Sequence, residues 1–314
     1  SGSTSLAGIA ASLQSQAHQN VPFGSYAMLV GVVLMVTGLG FKLSSVPFHM
    51  WVPDVYEGAP TPVVGFLSVA SKAAAFALVL RVFYTGLFAV QVDWVILLAV
   101  LAAASMTLGN LAAISQSNIK RLFGYSTVAH AGYILIGVAA IAGGDDGSGS
   151  DTFGPSSVLF YLAGYAAANL TAFSAITAIS NCIDSDRIED YAGMVKRSPF
   201  LAVALGLSLV ALIGVPPTSV FIAKIYIFTA AVNSGLVWLA VLGVINSVVS
   251  AYYYVQVMRV MFVEPAKSQE AVAGSWASRL AVTVAGVAMV WIGLAPGVVL
   301  GAAESAVTVL AVVR

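Results

Sequence analysis

Three lysines fall inside long apolar stretches of this chain, where a charged side chain is costly. Lys42 ends one stretch, Lys72 lies near the middle of the next, and Lys224 follows a double proline by two turns. An ammonium at the centre of a membrane helix costs roughly 2.5–3.5 kcal/mol on insertion scales. Burial makes an ammonium release its proton more readily, and lysine offers no ligand to Na⁺. The three lysines therefore suit proton exchange.

Each lysine also has a structural interpretation, because a lysine near a membrane surface can extend its ammonium to the headgroups. This structural interpretation fits Lys72 least well, because Lys72 has apolar turns on both sides. It fits Lys42 better, because Lys42 lies near a helix end. Proline removes a backbone donor and blocks an i−4 hydrogen bond, and broken helices mark ion paths in transporters. Pro47 after Lys42 and Pro216–Pro217 before Lys224 therefore predict two discontinuous helices.

A histidine adds a second kind of proton-exchanging group. His130 lies on a polar stripe, with Ser126 one turn before it and Tyr133 nearly one turn after it. Imidazole, with an ordinary pKa near 6.5, suits proton relay, although a packed, hydrogen-bonded histidine is the equal alternative. Lys120 follows a polar helix junction and is either a relay exit or an ordinary loop cation. Two further stripes predict helix–helix contacts or a wet lining: Tyr161, Tyr165 and Asn169, and Asn246, Ser250 and Tyr254.

The composition decides what surrounds these residues. The 314 residues are 60% hydrophobic and 8% charged, and the mean hydropathy is +0.96. Soluble domains carry about 25% charged residues, so this is a polytopic membrane protein in contact with the lipid bilayer. A net charge of zero gives no reason to expect a nucleic-acid partner. The single Cys182 excludes an internal disulfide, and three scattered histidines make a metal site unexpected.

Eight apolar segments are long enough to cross a bilayer, which takes about 20 residues, and all are predicted helices because open backbone cannot face lipid. They cover residues 26–46, 63–84, 94–114, 122–142, 157–182, 200–232, 236–263 and 277–310. The sixth is interrupted at Pro216–Pro217 and the eighth at Pro296–Gly297. Residues 22–314 are expected to form one transmembrane domain. Residues 1–21, which open with SGSTSL rather than methionine, are expected to hold the remnant of a preceding helix and a polar loop from Gln14 to Asn20.

Charge asymmetry between the loops predicts the orientation. Eight lysines and arginines lie in the loops around 120–121, 187–197 and 259–279, whereas the alternate loops hold only Arg81 and Arg314. The positive-inside rule places the three basic loops in the cytoplasm. The acidic stretch at 143–151 and the C-terminus are then expected on the opposite side.

Three stretches resemble the signatures of a known family. They are FKLSSVPFHMWVPDVYEGAPTPVVGFLSVASKAAAFALVLR at 41–81, QSNIKRLFGYSTVAHAGYILIG at 116–137 and LIGVPPTSVFIAKIYIF at 212–228. They resemble the antiporter-like membrane subunits of respiratory complex I, the NADH:quinone oxidoreductase. The DVYEGAPTPV turn and the ASK lysine resemble the subunit N branch, rather than the L and M branches or the related multisubunit cation/proton antiporters. The resemblance covers the chain from about residue 22 to its end.

This resemblance implies an all-α integral membrane bundle with two inverted five-helix repeats, each containing a broken helix. Of the fourteen helices in the family, the last eight would be present. Lys42 and Lys224 would lie on the two broken helices, Lys72 would be the central-axis lysine, and Lys120 and His130 would connect them. In the family, an acidic residue on an earlier helix pairs with the lysine at the position of Lys42.

The implied function is proton translocation in the bacterial plasma membrane, driven by quinone reduction in partner subunits. NADH, FMN, Fe–S clusters and quinone would bind to those partners, so this chain would hold no cofactor and no redox centre. Its direct partners would be neighbouring antiporter-like subunits of the membrane arm. Two alternatives stay open: a subunit of a redox-independent cation/proton antiporter, and a structural membrane-arm module whose lysines carry no protons.

Overall fold

The computed structural model describes residues 3–18, 26–88, 91–140, 152–268 and 270–312. In these residues the chain is helical, with one isolated β-bridge between Asn118 and Arg187 as its only extended pairing. The main helices, in chain order, are α1 (Leu6–His18), α2 (Tyr26–Leu43), α3 (Trp51–Gly58), α4 (Thr61–Gly86), α5 (Gln91–Ile114), α6 (Ile119–Ala139), α7 (Phe153–Ile183), α8 (Pro199–Ile213), α9 (Ser219–Asn233), α10 (Val237–Phe262), α11 (Trp276–Leu294) and α12 (Gly297–Val312).

Six of the described helices are long and apolar enough to cross a membrane, namely α4, α5, α6, α7, α10 and α11. The prediction of an all-α, polytopic membrane bundle is confirmed. Six predicted spans agree with the observed helices to within a few residues. The predicted eighth span is instead two helices, because α11 ends before Pro296 and is itself long enough to cross. The predicted polar loop from Gln14 is wrong up to His18, which α1 includes, while residues 19 and 20 lie outside the described residues.

The bundle is built around α6 and α7. In α6, every residue except Arg121 and Tyr125 is buried, as expected of a helix that neighbours surround on all sides. The 31-residue α7 packs against α4, α6, α8, α9, α11 and α12. Because α6 is covered and α7 largely covered by neighbouring helices, they can carry polar side chains that a lipid-facing helix could not.

Glycines bring the backbones of α5 and α6 into direct contact. A Cβ on Gly132 would lie 2.6 Å from the backbone nitrogen of Met106, and one on Gly109 would lie 2.6 Å from that of Ala129. Small residues allow this close approach between membrane helices. The contact fixes the polar side chains of α5 beside those of α6.

Both predicted helix breaks are present. The first separates α2 from α3 across residues 44–50, and Ser105 on α5 accepts the backbone N–H of Val46 through its Oγ, at 3.0 Å. The second separates α8 from α9 across residues 214–218 and begins at Gly214, whose φ is +91°. Gly293 on α11 packs against this second break so closely that a Cβ there would lie 2.0 Å from the carbonyl oxygen of Pro217.

Candidate functional site

Lys72 is buried in the middle of α4, directly after a single π-helical turn at Leu67–Ser71. Its Nζ donates a hydrogen bond to the carbonyl oxygen of Thr127 on α6, at 2.6 Å. It also lies 5.8 Å from the centroid of the Tyr165 ring on α7. The Tyr165 hydroxyl is in turn 3.1 Å from Thr127 Oγ1. The ammonium of Lys72 is therefore held inside the bundle.

His130 lies one turn after Thr127 on α6 and is almost completely buried, with 1% of its surface exposed. Its Nδ1 is 2.8 Å from the hydroxyl of Tyr161 on α7. The imidazole packs against Tyr165, with ring centroids 4.9 Å apart, and against Tyr133, with centroids 5.7 Å apart. Hydroxyl-bearing side chains thus surround the histidine and connect it towards Lys72.

Lys224 lies at the second break and uses the carbonyls that the break leaves free. Its Nζ donates to the carbonyl oxygens of Ile213, at 2.8 Å, and Leu212, at 3.3 Å, at the end of α8. The last carbonyls of a helix have no partner within that helix. The ammonium also lies 4.7 Å from the centroid of the Tyr133 ring, a favourable cation–π arrangement.

These contacts place Lys72, His130 and Lys224 in one buried row, with Tyr165 and Tyr133 between them. No ion pair in the described part of the chain involves a member of this row, since the five observed ion pairs use other residues. The sequence predicted the three residues individually. The structure brings them together.

Lys120 lies apart from the row. It begins α6, where its Nζ is 2.8 Å from Asp186 Oδ2 and donates to the carbonyl oxygen of Ala59 at 3.1 Å. Ten residues of helix separate it from His130, which corresponds to about 15 Å along the axis. The structure therefore gives Lys120 a carboxylate partner at the basic-loop end of the bundle.

Lys42 is also outside the row. It lies in the last turn of α2 on an exposed face and forms no hydrogen bond or ion pair with another described residue. The neighbouring turn is fixed without it, because Trp51 Nε1 donates to the carbonyl oxygen of Phe41 at 3.1 Å.

A second polar cluster, which sequence reasoning did not single out, is centred on Asn110 of α5. Its Oδ1 accepts a hydrogen bond from the Tyr253 hydroxyl at 3.0 Å, and its Nδ2 donates to the Tyr133 hydroxyl and to the carbonyl oxygen of Asn246, both at 3.2 Å. An amide in an apolar span is costly unless it is paired. That cost is the signal that could have identified Asn110.

The two predicted polar stripes on α7 and α10 join helices. On α6, His130 contacts Tyr161 and Thr127 contacts Tyr165. Ser126 of the same helix is hydrogen-bonded to Tyr254 of α10. Among the described residues, no group of three or more His, Cys, Asp or Glu side chains is arranged to hold a metal ion. The site is built from amines, an imidazole and hydroxyls, which bind and pass protons, together with amides that hold the hydroxyls in place by hydrogen bonds.

Residues 1–250 match a family model described as "NADH:quinone oxidoreductase/Mrp antiporter, TM", so the match begins earlier than the resemblance identified at about residue 22. The chain is 47% identical over 281 residues to NADH-quinone oxidoreductase subunit N of Dehalococcoides mccartyi, covering 88% of this chain and 57% of that protein. It is 45% identical over 270 residues to subunit N of Desulforamulus reducens, covering 86% and 55%. The chain thus spans somewhat more than half the length of these relatives.

Solved structures give the same picture of the fold. A chain of respiratory complex I from Thermus thermophilus with bound aureothin superposes with a TM-score of 0.73 and 34% identity, covering 94% of this chain and 66% of that one. A chain of the Mrp complex from Dietzia sp. superposes with a TM-score of 0.82 over 98% of this chain and 62% of that one, but at 21% identity it shows the fold alone. This chain belongs to the family of transmembrane subunits that NADH:quinone oxidoreductases share with Mrp antiporters, and its similarity within that family is to subunit N.

Proposed function

We propose that this chain works in a proton-translocating membrane subunit of an NADH:quinone oxidoreductase in the bacterial plasma membrane, and that the row of Lys72, His130 and Lys224 carries the protons. Partner subunits would bind NADH, FMN, Fe–S clusters and quinone and would carry out the redox chemistry. Neighbouring membrane-arm subunits would pass the resulting charge rearrangements to this row.

The observation that supports the proposal is the burial of all three protonatable groups with no carboxylate partner among the residues that the structure describes. An unpaired ammonium inside a membrane bundle is costly, and intramembrane ionisable groups typically mark ion or proton paths. Here Lys72 and Lys224 are 3% and 5% exposed, and in the described part of the chain both bind only neutral acceptors. A purely structural protein would be more stable with apolar residues at both positions.

The geometry suggests how a proton would move. Lys72 donates a hydrogen bond to the Thr127 carbonyl, Thr127 Oγ1 is hydrogen-bonded to the Tyr165 hydroxyl, and the Tyr165 ring packs against His130. The imidazole can accept a proton on one nitrogen and release one from the other. Like charges repel strongly in a medium of low dielectric constant, so a change of charge at one member of the row biases protonation of the next.

Lys42 and Lys120 enter this proposal at the ends of the path. Lys42 would be a switched residue of the first broken helix, as the resemblance implies. Lys120 would exchange protons with Asp186 at the basic-loop end, a role that its contact with this carboxylate supports.

The test is Lys72→Ala in membrane vesicles from cells that carry the variant in place of the native gene. NADH oxidation and proton uptake are recorded together, with immunoblotting to confirm assembly of the complex. We expect both activities to fall about tenfold, since proton flow and electron flow are coupled. The matched control is Arg81→Ala, which removes an exposed cation from the same helix and should leave both activities at native levels. Native activity in the Lys72→Ala vesicles would refute the proposal that the row carries protons.

A redox-independent cation/proton antiporter is the second candidate, because the matching family includes Mrp antiporters and the fold superposes on a chain of an Mrp complex. A Na⁺ gradient imposed on vesicles without NADH distinguishes the antiporter candidate from the oxidoreductase proposal. An antiporter subunit would then move protons at a rate that depends on Lys72. The oxidoreductase proposal predicts proton movement only when donor and quinone are both supplied.

A further inference from the structure

Tyr133 on α6 is the side chain that joins His130 to Lys224 within the row. Its ring centroid lies 5.7 Å from that of His130 and 4.7 Å from Lys224 Nζ. The side chain is almost completely buried, with 1% of its surface exposed. An ammonium is attracted to an aromatic face when it lies within about 6 Å of the ring centroid. The contact between Lys224 and α6 therefore depends on where this ring is held.

The hydroxyl end of Tyr133 is held by Asn110 on α5. Asn110 Nδ2 donates to the Tyr133 hydroxyl and to the carbonyl oxygen of Asn246 on α10, both at 3.2 Å. Asn110 Oδ1 accepts from the Tyr253 hydroxyl at 3.0 Å. A backbone carbonyl can only accept hydrogen bonds, so the contact with Asn246 fixes which end of the amide faces Tyr133. The buried amide thus has partners at both its nitrogen and its oxygen.

A close contact between two backbones keeps Asn110 and Tyr133 at hydrogen-bonding distance. Gly109 directly precedes Asn110, and Gly132 directly precedes Tyr133. A Cβ on either glycine would lie 2.6 Å from a backbone nitrogen of the opposite helix, so α5 and α6 touch at these two glycines. The hydrogen bond therefore forms beside a rigid contact.

Lys224 is bound on its other side to a different part of the bundle. Its Nζ donates to the carbonyl oxygens of Ile213 and Leu212 at the end of α8. If the Tyr133 ring moved, these bonds would keep the ammonium at the second break while it lost its contact with α6. Without Asn110, the ring would be held mainly by packing, which includes Phe228 of α9 with ring centroids 6.4 Å apart.

We propose that Asn110 is a positioning residue for proton transfer, and that its hydrogen bond to the Tyr133 hydroxyl holds the phenol ring between His130 and the Lys224 ammonium. This inference rests on the proposed function and adds a residue outside the row on which the row depends. Asn110 itself passes no proton. It acts through Tyr133.

The test compares two tyrosines that share Asn110 as a hydrogen-bond partner. Tyr133→Phe and Tyr253→Phe each remove one hydroxyl from this amide and keep the ring. In vesicles with the complex assembled, we expect Tyr133→Phe to lower NADH-driven proton uptake per complex about threefold, the effect of one modest hydrogen bond. Tyr253→Phe should have a much smaller effect, because Nδ2 keeps both of its acceptors. Equal uptake in the two variants would overturn the inference.

Asn110→Leu removes the amide and keeps a side chain of similar size. If Asn110 acts through the Tyr133 hydroxyl, this variant should lose about as much uptake as Tyr133→Phe. The double variant Asn110→Leu with Tyr133→Phe should then lose no more than either single variant. Losses that multiply in the double variant would show that Asn110 acts independently of this hydroxyl, and the inference would be wrong.

Thermal inactivation of the purified complex measures the structural contribution separately. Asn110→Leu leaves the Asn246 carbonyl and the Tyr253 hydroxyl without this partner, so the inactivation temperature should fall. Tyr253→Phe should also lower this temperature, yet keep nearly native uptake. Uptake that simply followed the inactivation temperature across the four variants would assign Asn110 a purely structural role.

The inference and the proposed function can fail separately. Native uptake in Tyr133→Phe, together with strong loss in Lys72→Ala, would refute the positioning role and leave the row standing. Native uptake in Lys72→Ala would refute the proposal that the row carries protons. If Asn110→Leu prevents assembly, the comparison of Tyr133→Phe with Tyr253→Phe still decides the inference.

Discussion

The two broken helices of this bundle have similar sequences and different surroundings. Each combines an apolar helix, a proline and a lysine, yet Lys224 is buried against the Ile213 carbonyl and Lys42 is exposed on α2. The order along the chain explains the difference. Lys224 follows its break by two turns and can reach back to the free carbonyls of α8, whereas Lys42 precedes its break. A proline near a lysine therefore predicts a break, and the surroundings decide what the lysine contacts.

The largest predicted contrast comes from arginine at both lysines. In Lys224→Arg, a planar guanidinium with five donors must fit a buried site that offers two carbonyls, so we expect proton uptake to fall at least tenfold. In Lys42→Arg, the exposed position imposes no such fit, but a guanidinium does not release its proton, so uptake should fall less, by about threefold. Both are measured as NADH-driven uptake in vesicles with the complex assembled. Equal losses in the two variants would show that burial does not distinguish the lysines.

The sequence predicted much of this arrangement because the signals are local. Apolar length gave the spans, and Pro47 and Pro216–Pro217 gave the two breaks, since proline disrupts its own helix. The start of α6 at Ile119 was also readable, although the predicted span began at Leu122. Asn118 caps this helix, its Oδ1 accepting the backbone N–H groups of Lys120 and Arg121, as asparagine commonly does at helix starts.

What the sequence could not predict depends on which helices are neighbours. The exposure of Lys42 and the ion pair between Lys120 and Asp186 follow from packing between segments far apart in the chain. The cluster at Asn110 joins α5 to α10 across more than a hundred residues of sequence. Periodicity along one helix shows which residues share a face, but it does not identify the neighbouring helix that packs against that face.

The next contrast concerns glycines beside the two helix breaks. Gly293→Ala would place a methyl group 2.0 Å from the Pro217 carbonyl oxygen, against backbone that cannot move independently. We expect overpacking of about 1–3 kcal/mol, seen as a lower thermal-inactivation temperature of the purified complex. Gly38→Ala on α2 is the control, since its Cβ would meet nothing within 4 Å. This substitution should be neutral or stabilising by up to about 1 kcal/mol, because glycine in a helix interior is less stable than alanine.

A smaller effect is expected at the residues with positive φ that begin the breaks. Gly214 has a φ of +91°, and a Cβ there would lie 2.9 Å from Lys224 Cδ. Gly214→Ala should therefore destabilise by about 1–2 kcal/mol and also lower proton uptake by displacing the lysine. Ser44 occupies the corresponding conformation in the first break, with a φ of +67°. Ser44→Gly should relieve strain and raise thermal stability slightly, without any change in uptake. A loss of stability in Ser44→Gly would show that its side chain matters more than its backbone.

The smallest expected effects are at the surface ion pairs that hold the segments next to each break. Arg121 on α6 binds Asp54 at 2.7 Å and Glu57 at 2.8 Å, both on α3 directly after the first break. Because this network is partly exposed, Arg121→Ala should cost about 1 kcal/mol or less. Lys267 binds Asp190 at 2.9 Å across the loops next to α8 and α10, and as a single exposed pair it should contribute less.

The second of these ion pairs has a defined pH dependence. The Lys267 ammonium and the Ser185 hydroxyl hold the pKa of Asp190 below its ordinary value, so the pair's contribution is present above about pH 4 and is lost as the carboxylate protonates at lower pH. Asp190 in turn raises the pKa of Lys267. The pair's contribution to stability is therefore also lost when the pH rises above the ordinary lysine pKa and through the raised pKa of Lys267. The difference in thermal-inactivation temperature between native protein and Lys267→Ala should therefore be constant from pH 6 to 9 and decrease on acidification below about pH 4. A difference that grows on acidification would mean that Lys267 acts through a partner other than Asp190.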